Sequence, residues 1–461
     1  MIKKNDLKNK KIAVIGAGIS GMALAELAKK LGADVFVSDA NKLNIDAERL
    51  FVSLNIAWEE NGNTEKLLEA DEIVVSSGIS PQNKMLKEAR KRKVPIVGEL
   101  DFVYPYLSGN IIGVTGSNGK TTTTSMIGYY LNKLGYSVAI CGNIGNPLAK
   151  VVNKTYDFIV MELSSFQLHW AYKFKCNAAV ITNLAPDHID WHCSYENYVA
   201  AKANLIKCLD DSGFVICQKT DMESLRIGKK NCLPLFWKVP CNNEKGIYMD
   251  IKNKTAWLNS SIGSSVKSLF KFDEINLLGT HNMANTAMVL ALLSQYGITV
   301  PKDLIASYVP PKHRCSYVGK AKSIVFIDDS KGTNVAASVA AMTALDGVKI
   351  IILGGQGKGE SYDSLAAAVK KFTKHAVLIG SEKEKIKQAL KKAGYKSYSL
   401  VSTMQEAVET AYSKASAGDT VLLSPACTSW DMYSNYGERG DHFCAFVKEI
   451  IERELNYDQQ R

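Results

Sequence analysis

Ile111-Ile-Gly-Val-Thr-Gly-Ser-Asn-Gly-Lys-Thr-Thr122 sets the reading of the whole chain. An apolar strand over 110–114 feeds a glycine-rich turn, and Gly119-Lys120-Thr121 opens a helix. Such a turn gathers free backbone N–H groups at a helix start, a lysine ammonium and a hydroxyl, the chemistry that cradles a nucleotide's phosphates. Gly116, Asn118 and Gly119 supply main chain, Lys120 reaches the β/γ-phosphates and Thr121 ligates magnesium. Thr122 stands one residue deeper and either joins them or only packs. The usual spacing asks for glycine where Val114 stands, but Gly113, Gly116 and Gly119 keep the strand–turn–helix setting. The stretch predicts an enzyme that consumes ATP.

Outward from this loop, the rest of the chain repeats its architecture. A length of 461 residues predicts about three domains. The first opens with a strand over 11–15, the turn Gly16-Ala-Gly-Ile-Ser-Gly21, a helix over 22–31 and a second strand over 35–38 that ends at Asp39. That order fits a dinucleotide unit, another pyrophosphate in the same cradle, or a tight turn with no ligand. A further strand over 73–76 leads into Ser77-Gly-Ile-Ser-Pro81. The pattern restarts at Ile111, which places a boundary near Gly98, and strands follow over 137–140, 158–162 and 178–182. Between 212 and 272 helical periodicity fades into short β-like pieces, and a helix returns over 282–295 after Leu278-Gly-Thr-His281. Beyond Pro310-Pro311, strands over 323–327, 349–353, 376–379 and 420–423 alternate with helices over 334–345, 362–372, 382–393, 404–415 and 443–454. The expected fold is α/β: a Rossmann-like domain over 1–98, a P-loop domain with a mostly parallel sheet over 99–311, and a second Rossmann-like domain over 312–461.

Composition narrows the class. Hydrophobic residues at 46% and charged residues at 22% suit globular domains. No apolar run approaches the roughly 18–20 residues of a membrane span, and Met1-Ile-Lys-Lys-Asn-Asp leads into a strand without a signal-like segment. Ten cysteines without a Cys-x-x-Cys pair are too sparse for a disulfide framework, so a reducing cytoplasm is expected. The net charge of +10 comes from scattered or helix-periodic lysines, as over 383–392, without a basic stripe. An anionic small substrate and a nucleotide account for it, with neither nucleic acid nor membrane as partner. A monomer is the default.

Several strand ends carry candidate chemistry. Glu162 closes its strand before Leu163-Ser-Ser165 and is placed for magnesium; a helix cap made by one of those serines is the other reading. Asp187, His188, Asp190 and His192 cluster beyond the strand over 178–182. Zinc lacks a third ligand of suitable spacing, so His188 is preferred for phosphate or magnesium, while His192 is an exposed bystander or part of the cluster. Lys202, inside the helix after Ser194, reads by itself as a solvated lysine. Asn282 and Asn285 either read a base or cap the helix start. Lys331 and Lys358 stand on loops after strands, and Ser424 to Gly440 offers hydroxyls and main-chain donors for a carboxylate. Cys427 has no histidine partner and reads as an inert buried thiol.

These landmarks, in order and over essentially the whole chain, resemble the ATP-dependent Mur ligase family. The resemblance rests on Gly113 to Thr122, Glu162-Leu-Ser-Ser-Phe-Gln167, Asn183 to Asp190, Gly279 to Asn285, His313-Arg314, Asp329-Ser-Lys331 and Gly354-Gly-Gln-Gly-Lys358. The turn at Gly16, Ser77-Gly-Ile-Ser and the tail at Ser424 to Gly440 resemble the family's D-glutamate-adding branch, and the Asp-Asn-Pro-Arg signature of the diaminopimelate adders is absent. The resemblance implies the partners UDP-N-acetylmuramoyl-L-alanine and D-glutamate, an acyl-phosphate intermediate, and the cofactors ATP and two Mg2+. It implies Lys120 on the γ-phosphate, Thr121 and Glu162 on one magnesium, and His188 with a carboxylated Lys202 on the other. It also implies Asn282, Asn285, Arg314 and Asp329 as nucleotide contacts, with Arg314 and Lys331 at the reacting groups. Ser20, Asp39, Gly78 and Asn143 would contact the UDP substrate; Thr333, Lys358, Ser429 and Tyr436 would form the D-glutamate pocket. Asp39-Ala-Asn41 departs from the Asp-Thr-Arg of some members, and Tyr436 from their phenylalanine. The rivals are another ligase of this superfamily, such as a folylpolyglutamate synthase, an NAD-dependent dehydrogenase read from Gly16 to Gly21 alone, and a non-catalytic nucleotide-gated binder.

Overall fold

The computed structural model describes residues 6–459 apart from 153, 229, 230, 264, 278 and 346, so Met1–Asn5 and Leu278 lie outside the described residues. Three sheets follow one another along the chain. The first is wholly parallel, in the order Ala57–Glu59, Asp34–Ser38, Lys11–Ile15, Glu72–Val75, Ile96–Gly98. Its strand order reverses beside Lys11–Ile15, so the turn at Gly16 and the turn at Ser77 meet at the switch point where open sheets take ligands. The turn is tight: a Cβ on Gly21 would fall 1.7 Å from the Gly16 carbonyl oxygen.

The middle sheet has nine strands. Seven run parallel, in the order Val138–Gly142, Phe158–Glu162, Asn110–Thr115, Cys176–Ile181, Leu209–Gln218, Asn231–Phe236, Gly246–Asp250. Thr255–Asn259 and Lys267–Lys271 continue it antiparallel. The β-like pieces after 212 thus extend the phosphate-loop sheet. Both faces of the central strands are buried, which is why they read as unbroken apolar runs. One apolar cluster runs from Leu24 and Leu27 of the first segment to Leu148 and Leu168 of the second.

The third sheet is parallel through Ile324–Asp328, Thr420–Leu423, Lys349–Gly354, Thr373–Ile379 and Tyr398–Leu400. Ser316–Ala321 adds an antiparallel edge that pattern reading misses, because a register shift at Gly319 breaks its alternation. The last helix runs Tyr436–Gln459 rather than 443–454. Gly437 and Gly440, poor helix formers, hide its first turns from the sequence. Gly440 stands where a Cβ would meet His313 Nδ1 at 2.2 Å. No helix among the described residues is long and apolar enough to cross a membrane.

Candidate active site

Three neighbouring strands of the middle sheet end together, bringing the loop after Asn110–Thr115 beside Glu162 and Thr182-Asn183. Gly116 adopts φ +140°, and a Cβ there would lie 2.0 Å from Thr182 Oγ1. Gly119, at φ +82°, leaves 2.8 Å between its would-be Cβ and the Asn285 carboxamide. The loop is pinned by Asn118 N–H donating to Asn183 Oδ1 at 3.0 Å and by Ser117 Oγ donating to the Ala185 carbonyl at 2.8 Å.

Two ammonium groups converge on this loop. Lys120 Nζ donates to the carbonyls of Gly116 and Ser117, both at 2.9 Å, and Lys202 Nζ donates to the Gly116 carbonyl at 2.8 Å. Lys202 is only 1% exposed, which overturns its reading as a solvated lysine. Its Nζ lies 4.6 Å from the centre of the Tyr198 ring. Burial, then the nearby Lys120 charge, drives its pKa well below the ordinary lysine value; burial lowers Lys120 as well.

Glu162 is 1% exposed; its Oε1 accepts from Asn143 Nδ2 at 2.6 Å, while its Oε2 is buried without a hydrogen-bond partner. The capping alternative does not need it, because Ser164 and Gln167 form a complete capping box on the helix Ser165–His169. No group of three or more His, Cys, Asp or Glu able to hold a metal by itself occurs among the described residues. An orphaned, desolvated carboxylate oxygen beside a phosphate loop nevertheless fits magnesium, which typically takes one or two carboxylates and completes its shell with water and substrate phosphates.

His188 adopts φ +51° and holds Nε2 3.7 Å from Asp187 Oδ2. Burial lowers its pKa to about 3 despite Asp187, so the imidazole is neutral and able to coordinate. Asp190 is exposed. His192 is buried rather than exposed: its Nε2 is 2.9 Å from Ser165 Oγ and its ring stacks on Phe166 at 5.7 Å, so it packs.

The third segment reaches into the same place. Lys358 Nζ donates to Asp187 Oδ1 at 2.9 Å and to Thr333 Oγ1 at 3.3 Å. Asn334 Nδ2 lies 3.2 Å from both Asp187 Oδ2 and Asn118 Oδ1. Burial alone would raise Asp187, but Lys358 and His188 hold it down to about 2. Arg314, Asp329 and Lys331 line one cavity of about 350 Å³ together with Asn118, Gly119, Thr122, Asn282 and Asn285. Thr122 therefore faces the cavity, and the two asparagines open onto it beside the loop. Burial, reinforced by Arg314, lowers Lys331 to about 7; its Nζ stands 3.9 Å over the Tyr436 ring. Burial raises Asp329 to about 7, with Ser424 Oγ donating to its Oδ2 at 2.7 Å.

In the tail, Ser429 is buried and its carbonyl accepts from the N–H groups of Met432 and Tyr433; the Tyr436 carbonyl accepts from Ser330 Oγ at 2.8 Å. Arg439, which motif reading passed over, knits this loop by donating to the carbonyls of Ser330, Thr428 and Cys427. Burial pushes the Cys427 thiol up to about 12, as expected of an inert group. On the first sheet, Asp39 accepts from the N–H groups of Ala17 and Asn41 at 2.6 and 2.8 Å, and Ser77 Oγ donates to Ser20 Oγ at 3.4 Å. The Gly78 carbonyl accepts from Trp191 Nε1 at 3.1 Å, tying that edge to the middle segment. Sequence reasoning also missed Gln218 and Trp237 in the nucleotide-loop cavity. Both stand at carboxyl ends of strands, the signal that could have found them.

Comparison with known proteins agrees with this geometry. The Mur ligase middle domain profile matches residues 114–293, the Mur ligase glutamate ligase domain residues 313–427, and the MurD N-terminal domain residues 11–85. The chain is 34% identical to a UDP-N-acetylmuramoylalanine–D-glutamate ligase of Caldicellulosiruptor bescii, over 97% of this chain and 99% of that one. It is 36% identical to the protein of that name from Streptococcus agalactiae, over 95% and 96%. In fold it is similar to MurF from Acinetobacter baumannii, at a TM-score of 0.60 and 17% identity over 95% of this chain and 93% of that one. MurC from Thermotoga maritima gives a TM-score of 0.59 at 18% identity over 96% and 100%. The chain belongs to the Mur ligase family of ATP-dependent amide-bond-forming ligases.

Proposed function

We propose that the protein joins D-glutamate to UDP-N-acetylmuramoyl-L-alanine in peptidoglycan precursor synthesis, cleaving ATP to ADP and phosphate. The supporting observation is that the phosphate loop shares one cavity with Arg314 and Lys331 of the third segment. Domains over 1–98, 99–311 and 312–461 bind the UDP substrate, ATP and the amino acid. Ser20, Asp39, Gly78 and Asn143 hold the first, and Thr333, Lys358, Ser429 and Tyr436 the last.

An ionised carboxylate resists nucleophilic attack because its oxygen leaves poorly. An alanyl carboxylate oxygen therefore attacks the γ-phosphorus of ATP, the bond to the β-phosphate oxygen breaks, and ADP departs with that electron pair. Lys120, Arg314 and Lys331 offset the charge on the transferring oxygens. The D-glutamate amine then attacks the acyl carbon, phosphate leaves with the bonding pair, and the amine gives up its proton. Thr121, Glu162, His188 and Lys202 would hold two magnesium ions, which supply charge neutralisation for the phosphates. Closure of the third segment over the loop keeps water from the acyl phosphate.

Lys202 enters that set as a carbamate: its neutral amine, favoured by burial, forms an N–C bond to carbon dioxide and releases a proton. Labelled bicarbonate gives a carbamate carbon-13 resonance in the parent that Lys202→Arg lacks; identical spectra refute the modification. The acyl phosphate is tested with substrate carrying oxygen-18 in its alanyl carboxylate. One label appears in the released phosphate for each turnover, and unlabelled phosphate overturns the mechanism.

A further inference from the structure

We infer that Trp237 is the stacking face for the adenine ring, an assignment that rests on the ATP reading of the cavity and extends it. The sheet order carries the argument. Starting from the strand that ends in the phosphate loop, the next three are Cys176–Ile181, Leu209–Gln218 and Asn231–Phe236. Trp237 follows the last of these, so it stands about 14 Å from the loop at ~4.8 Å per strand. A nucleotide held by its terminal phosphates must cross such a distance before its base meets the wall.

Trp237 is 44% exposed, yet it lines the same cavity as Asn118, Gly119 and Asn282. It is also held in place. Trp237 Nε1 donates to Gln218 Oε1 at 2.8 Å, Gln218 Nε2 donates to the Thr182 carbonyl at 3.2 Å, and Thr182 Oγ1 donates to the Asn118 carbonyl of the loop. An aromatic plane at a cavity mouth, linked residue by residue to the phosphate grip, is oriented before any ligand arrives. The cavity's other aromatic ring, His281, folds back on its own helix start: a Cβ on Gly279 would lie 2.7 Å from it. Half-buried Ala336, Ala337 and Ala340 line the same cavity and leave room for a flat ring. Gln218 is a positioning residue here, acting through the indole.

Calorimetric titration with Mg-ADP and with tripolyphosphate separates the base from the phosphates. Trp237→Ala weakens ADP about 10- to 100-fold, the range of a lost base–aromatic stack. Tripolyphosphate affinity stays within about twofold, Trp237→Phe keeps ADP within about threefold, and Gln218→Ala falls between the parent and Trp237→Ala. Parent-like ADP affinity in Trp237→Ala overturns the assignment, as does an equal loss for both probes, which marks a structural role. A parent that binds tripolyphosphate and ADP equally also overturns it while leaving the phosphate site intact; a parent that binds neither overturns the ATP reading beneath it.

Discussion

At the scale of single residues, the active cavity gathers cations whose charge the free protein can hardly hold. Lys331 titrates near pH 7 because it is buried beside Arg314. A bound triphosphate restores its charge, so at pH 8 nucleotide binding draws most of a proton from solution, and at pH 6 it draws only about a tenth of one through this group. The sign for stability is the reverse of a salt-bridged lysine. Between about 7 and 10.5 the unfolded chain binds the extra proton, so the cost of burying Lys331 is full below that window and fades as pH rises through it. Calorimetry in buffers of different ionisation heat reads the uptake. Lys331→Met lowers it at pH 8, and equal uptake in parent and variant contradicts the account. Lys331 was legible as a loop lysine after a strand. The burial of Lys202 and the packing role of His192 were not, because a helix lysine or a loop histidine has the same sequence signature whichever way it faces.

At the scale of elements, what could be read from the chain was strand–turn–helix order, since apolar runs and glycine turns are local. The strands over 11–15, 158–162 and 420–423 stand where periodicity placed them. The antiparallel edge Ser316–Ala321 and the first turns of Tyr436–Gln459 depend on non-local packing against Ile451 and His313, which no window of sequence carries. The phosphate loop is the element most exposed to a small change. Gly116→Ala demands a conformation disfavoured for alanine and drives a methyl into Thr182. ADP affinity in that variant falls by about tenfold or more, with far-ultraviolet circular dichroism unchanged. Unaltered ADP binding would show that the loop does not hold the phosphates in this conformation.

At the scale of the whole molecule, three sheets were predictable from length and from the restart of the pattern at Ile111, but their mutual placement was not. The third segment's seat on the middle one rests on Lys358 and Asn334 meeting Asp187 and Asn118, residues up to 216 positions apart. Lys358 and Asp187 are 9% and 7% exposed at their side chains. Asp187→Asn leaves a buried ammonium unpaired, which costs about 3–5 kcal/mol unless the third segment swings away. The variant therefore shows a lower melting midpoint and a larger radius of gyration by small-angle scattering. Adding Lys358→Met recovers most of the midpoint; a single variant that melts and scatters like the parent contradicts the latch.

The contact matters because it sets Arg314 and Lys331 in one cavity with the phosphate loop, and on that arrangement rests the claim that ATP cleavage drives amide formation at D-glutamate. The direct measurement is phosphate release from ATP in the presence of UDP-N-acetylmuramoyl-L-alanine, with D-glutamate, L-glutamate, L-lysine and diaminopimelate supplied in turn. D-Glutamate alone sustains turnover in the parent, and Lys120→Ala loses it by about a thousandfold or more while remaining folded by far-ultraviolet circular dichroism. Turnover with another of these amino acids in place of D-glutamate, or near-parent turnover by Lys120→Ala, would contradict the account.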